Sequence, residues 1–101
     1  MRLYDGFSEL LADIQTLPSV GWIFVSRTID RASESDLASA IFYVADNDIE
    51  SITLEKEKCT FLECPTFVDM KSILDKRPVK PSRSEYLRAA IYYMEHDEFQ
   101  D

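Results

Sequence analysis

From Phe7 to Leu17 the apolar side chains stand at Phe7, Leu10, Leu11, Ile14 and Leu17, the spacing of one helix face, with Glu9, Asp13 and Gln15 on the other. This predicts an amphipathic helix that the N-terminal residues enter directly and that Pro18 ends. Gly21-Trp22-Ile23-Phe24-Val25 is a dense aromatic and β-branched run of strand length. Residues 26–39 read as loop with some helix, since Ser33-Glu34-Ser35-Asp36-Leu37-Ala38 suits either a capped helical turn or an acidic loop. Ile41-Phe42-Tyr43-Val44 has no polar break, as in a central strand covered on both faces, and Asp46-Asn47-Asp48 interrupts it with turn chemistry.

Further along, Ile52 and Leu54 share one parity and Cys59 and Phe61 the other, so one flat strand cannot point all four inward. Two strands joined through Glu55-Lys56-Glu57-Lys58 are expected, with a bulged single strand as the competitor. After Pro65, Thr66 is the expected cap of a helix carrying Phe67, Met70, Ile73 and Leu74 on one stripe, ended by Pro78 and Pro81. Ser82-Arg83-Ser84-Glu85 has the form of a capping box, and Leu87, Ala90, Ile91 and Met94 follow at helical spacing. The expected fold is α+β: a small, mainly antiparallel sheet of about three to five strands with N-terminal, middle and C-terminal helices packed on it, in a single domain over residues 1–101.

Composition narrows the class. With 101 residues there is room for one core and none for a cofactor domain beside a catalytic one. The 46% hydrophobic content, with only two glycines and four prolines, is that of a folding chain and not of a disordered one. The formal charge of −8, from 19 acids against 11 bases, argues against a nucleic-acid binder and favours a cationic partner or plain solubility. No apolar run approaches the roughly 20 residues that span a bilayer. Met1-Arg2-Leu3-Tyr4-Asp5-Gly6-Phe7 lacks the apolar core of a signal peptide, so a cytoplasmic location and no membrane association are expected. Cys59 and Cys64 are then expected to be reduced and to act as small hydrophobes, with no further cysteine or paired histidine to complete a zinc site.

No constellation for catalysis stands out. His96 is the only histidine and closes the last helical segment, where an imidazole commonly meets free carbonyls. Asp46-Asn47-Asp48-Ile49-Glu50 resembles the start of a calcium loop, but Ser51 stands where such a loop has glycine. Neither a metal nor a cofactor is implied. Charge, by contrast, is segregated: residues 1–70 carry 13 acids and 5 bases, residues 71–88 carry 2 acids and 6 bases, and residues 89–101 carry 4 acids and no base. The basic stretch, Lys71, Lys76, Arg77, Lys80, Arg83 and Arg88, reads as a solvated face that pairs with acids of the same domain. Asp30, Glu34, Asp36, Asp46, Asp48 and Glu50 cluster near expected loops and strand ends, where as a group they can steer a basic partner while Tyr43 or Tyr92 supplies an aromatic anchor.

The segments Phe61-Leu62-Glu63-Cys64-Pro65-Thr66-Phe67-Val68-Asp69-Met70 and Glu85-Tyr86-Leu87-Arg88-Ala89-Ala90-Ile91-Tyr92-Tyr93-Met94-Glu95-His96-Asp97-Glu98-Phe99 resemble those of small bacterial immunity proteins of contact-dependent growth inhibition and related polymorphic-toxin systems. The resemblance implies a protein made in the cytoplasm, not an enzyme, that binds and neutralises a cognate toxin domain; from charge and hydropathy no nucleic acid or membrane is expected as partner, and a monomer is expected when free. A basic nuclease is the toxin class that the acidity favours. The resemblance carries no catalytic residue onto this chain; Asp30, Glu34, Asp36, Tyr43, Asp46, Asp48 and Glu50 are the toxin-binding candidates. The alternatives are a small acidic adaptor or oligomer subunit and, behind it, a carboxylate-based hydrolase.

Overall fold

The computed structural model describes residues 1–99. Four short strands, β1 (Arg2–Asp5), β2 (Trp22–Val25), β3 (Ile41–Val44) and β4 (Cys59–Glu63), form one antiparallel sheet in the order β1-β3-β2-β4. Five helices pack on it, α1 (Phe7–Ala12), α2 (Glu34–Ser39), α3 (Asp48–Glu57), α4 (Cys64–Asp75) and α5 (Arg83–His96), and the α+β class is the expected one.

Strand alternation divides the side chains between two faces. Phe42 and Val44 pair with Val25 and Ile23 and, with Tyr4 of β1 and Phe61 of β4, point into the main core. There Phe7, Phe42, Phe61 and Phe67 meet edge to face, with ring centroids 5.1 to 6.5 Å apart. The opposite face carries Phe24 paired with Tyr43, and only here does the buried Leu54 of α3 add cover. Phe24 and Leu54 lie outside the main cluster of buried residues. β3 is therefore interior to the sheet, as expected, but the cover on its second face is incomplete: Tyr43 is half-buried and Ile41 exposed.

Several elements differ from the sequence reading. The N-terminal residues form β1 instead of leading into a helix; its single buried side chain, Tyr4, leaves no alternation to detect. α1 stops at Ala12 because the Asp13 N–H is shared between the Glu9 and Leu10 carbonyls while its carboxylate accepts from Tyr4 Oη at 2.6 Å, and a 3₁₀ turn at Ile14–Thr16 completes the expected apolar face. Ile52 and Leu54 belong to α3, not to a strand, so only Cys59–Glu63 is extended. Asn47 caps α3 by accepting from the Glu50 N–H at 2.9 Å, and Arg27 closes its far end by donating to the Lys56 and Lys58 carbonyls. Glu63, not Thr66, precedes α4, whose first turn holds Pro65, where a missing N–H leaves no helical bond unmade. In residues 26–39 the helical alternative is the one realised, with Ser33 Oγ accepting from the Asp36 N–H.

The Ser82–Glu85 capping box forms in both directions and starts α5, whose Ala89 and Ala90 are buried and let α2 and α4 approach closely. Tyr86 fixes α5 to the end of α4 by donating from its hydroxyl to the Asp75 carboxylate. Burial, and then that bond, push the Tyr86 hydroxyl up to about 12, while Lys71 and Tyr86 hold Asp75 below its usual range. A raised tyrosine contributes stability that is complete below its unfolded value and is lost as pH rises through about 12; a lowered aspartate contributes above its unfolded value and loses it as pH falls through the folded one. Tyr86→Phe is expected to cost about 1 kcal/mol at neutral pH, to flatten the fall of stability at both pH extremes because the contribution it removes is the one titration would otherwise remove, and to remove a late step from an alkaline tyrosinate titration. An unchanged titration would place the Tyr86 hydroxyl in water.

Candidate interaction surface

β2 and β3 run antiparallel, so Val44 and the turn after it lie beside the start of β2, whereas the connection between the two strands lies at the other end of the sheet. The acids singled out above therefore do not form one face. Asp30, Glu34 and Asp36 belong to that connection, and Asp46, Asp48 and Glu50 to the opposite end. Tyr43 lies on β3 between them, half-buried with Lys58 Nζ 4.7 Å above its ring.

Most of these acids have local work. Asp36 Oδ2 accepts from the Asp30 N–H and Asp30 Oδ1 from the Ala32 N–H, which shapes the turn before α2. Glu34 lies 3.7 Å from Arg88 of α5. Asp46 and Glu50 hold the Met1 ammonium at 2.5 and 2.8 Å, which keeps both carboxyls below their usual range, and Glu50 also accepts from the Asp46 N–H. Four of the six, Glu34, Asp36, Asp48 and Glu50, stand in first turns of helices, where the dipole favours negative charge. Of these six, Asp48 alone has no side-chain hydrogen bond or ion pair among the described residues, whereas the other five do.

Asp48 lines an open cleft of about 360 Å³, together with Arg2, Pro18, Val20, Trp22, Asp46, Ser51 and Cys64. The cleft lies between the turn entering β2 and the start of α3. Gly21 makes that turn possible: its φ of 101° is a region that side chains rarely adopt, and its carbonyl accepts from the Cys64 N–H at 2.8 Å. Val20 is consequently left 76% exposed and Trp22 38%. Cys64 is buried, and burial pushes its thiol up to about 11, so it is a neutral wall and not a nucleophile. Arg2 turns its guanidinium toward Thr16, donating to the carbonyl at 2.6 Å and the hydroxyl at 3.2 Å, with Nε 3.6 Å from Asp46.

Next to this cleft α3 turns apolar side chains outward. Leu54 is its one buried residue, while Ile49 is 78% and Ile52 53% exposed. Neither isoleucine is needed by the core. Sequence reasoning missed the exposure of Val20, Trp22, Ile49 and Ile52 because it gave Ile52 to a strand and, although it placed Trp22 on β2 correctly, found no signal there for an outward side chain. The available signals were an apolar residue inside the Ser19–Gly21 turn and the Asn47-x-x-Glu50 cap before a segment without an apolar stripe.

The other candidates fall into structural roles. Lys71, Arg77 and Arg88 of the basic stretch pair with Asp75, Glu85 and Glu34, the internal pairing expected for it. His96 donates from Nδ1 to the Tyr92 carbonyl at 3.0 Å and stacks on the Tyr92 ring, so Tyr92 is no free anchor. The stretch resembling a calcium loop is the capped start of α3, and among the described residues no group of three acids, cysteines or histidines is placed to hold a metal. Cys59 and Cys64 are free thiols. Among the described residues no helix is long and apolar enough to cross a membrane. No protein-family model matches the chain, and neither does any curated protein or solved structure.

Proposed function

We propose that this protein is an immunity-type inhibitor, made in the cytoplasm, that binds a basic toxin domain, a nuclease being the class its charge best suits. The observation that carries the reading is the surface around Trp22. Exposed Val20 and Trp22 line the cleft with Asp46 and Asp48, and Ile49 and Ile52 are exposed on α3, the helix that Asp48 begins, which is the composition of an apolar anchor with a polar rim. The overall charge of −8 would speed the approach of a cationic partner. Co-expression with a toxin domain encoded beside this protein's gene is expected to yield a complex and to protect the cell; the absence of such a neighbour, or a neighbour that gives no complex and no protection, would overturn the reading.

Within it the two ends of the sheet separate. Asp48→Lys is expected to slow association by about three- to tenfold at low salt, and less at high salt, because a rim charge acts mainly on the on-rate. Asp30→Lys, at the other end, is the control that should leave the rate near wild type. Asp46 and Glu50 are poorer probes, since their carboxylates also hold Met1 and the start of α3. If Asp30→Lys slows association and Asp48→Lys does not, the interface lies at the β2–β3 connection.

Self-assembly, the second reading, is favoured by one feature. β1 is an edge strand that pairs only with β3, and Leu3 of β1 and Ile41 of β3 are exposed on the outer face of the sheet. Light scattering that returns the monomer mass of 11.7 kDa at every concentration would dispose of it.

A further inference from the structure

We propose that the cleft between Trp22 and the start of α3 receives a single arginine side chain of the partner protein. The assignment rests on the inhibitor reading for the partner's identity, and on the cleft's own chemistry for the group it takes. Its volume, about 360 Å³, is at the small end of binding pockets, which suits one side chain better than a large ligand.

Each wall meets a different part of an arginine. Trp22, exposed at 38%, offers an indole, the aromatic that attracts a guanidinium most strongly, while Val20 and Pro18 can cover the aliphatic stem. Asp48 has no hydrogen bond or ion pair among the described residues, so both its oxygens are open to a planar fork of N–H donors. Arg2, the cation already in the wall, is committed to Thr16 and Asp46. Anions are disfavoured even though α3 begins here, because Asp46 and Asp48 stand at its N-terminus.

Trp22 is the only tryptophan in the chain, so fluorescence excited selectively at the indole reports on this cleft and on the hollow with Glu63 and Asp97 that Trp22 also borders, and the Asp48 variant separates the two. Titration of the intact protein with acetyl-arginine amide, and with a tri-arginine peptide, is expected to change the Trp22 emission saturably, in the millimolar range, with weaker binding as salt rises. Asp48→Asn should weaken the response about five- to tenfold, the effect of losing a charged hydrogen-bond acceptor. A response to acetyl-citrulline amide equal to that of the arginine compound, an equal response to acetyl-lysine amide, or an unchanged affinity in Asp48→Asn would each overturn the assignment. Failure here leaves the inhibitor reading to its own test: a toxin complex unaffected by Trp22→Ala would retire the arginine cleft alone, whereas no complex with the unaltered protein would retire the inhibitor.

Discussion

Phe61→Ala is expected to remove about 3–5 kcal/mol of folding stability, the range for deleting a buried aromatic ring. The ring is buried and lies 5.1, 6.2 and 6.5 Å from those of Phe42, Phe67 and Phe7, all edge to face. Phe42 belongs to the sheet, Phe7 to α1 and Phe67 to α4, so a single cavity loosens three elements and its walls cannot collapse without moving two helices. A domain of this size has a total stability of about 5–15 kcal/mol, and each kcal/mol shifts its melting temperature by roughly 4–8 °C. Calorimetry should therefore show a fall of roughly 15–30 °C, or no cooperative transition at all. Trp22→Ala is the contrast: its ring is partly in solvent and outside the core, so it should cost under about 1 kcal/mol. Comparable losses in the two variants would mean that the aromatic cluster is not the centre of the core.

The parts of this fold that could be read from sequence are those where one local signal agrees with the core. α5 has a complete capping box and an apolar stripe, and β2 and β3 are unbroken apolar runs that form the two interior strands of the sheet. β1 and α3 lack that agreement. Each contributes one buried side chain, Tyr4 and Leu54, so neither displays a period. In α3 the two exposed isoleucines even oppose the helical stripe, and the alternation of Ile52 with Leu54 imitates a strand. Charge was legible as a quantity but not as a place: only the antiparallel pairing of β2 with β3 separates Asp30, Glu34 and Asp36 from Asp46, Asp48 and Glu50. The features that obscured α3, apolar residues that the core does not use, are the ones that distinguish a contact surface from a packed one.

That separation makes Leu54→Ala the second large effect. Leu54 is the only buried residue of a ten-residue helix, and it covers the face of the sheet that carries Phe24. Helices of this length are marginal in water without tertiary contacts. The Asn47 cap and the Arg27 bonds fix the ends of α3 but bury no apolar area to replace the lost side chain. Leu54→Ala is expected to lower global stability by about 2–4 kcal/mol. It should also bring hydrogen-exchange protection over residues 51–58 close to that of an open chain, while α5, on the other face, stays protected. Because Asp48 and Ser51 form one wall of the cleft, partner binding should fall even at temperatures where the rest of the protein is folded. Ile49→Ser and Ile52→Ser should do the reverse, with stability within about 0.5 kcal/mol of wild type and weaker binding, since both side chains are largely in solvent. If the serine variants destabilise the fold as much as Leu54→Ala does, α3 is held by its outer face and the contact surface has to be sought elsewhere; if they leave both stability and binding untouched, the isoleucines serve neither.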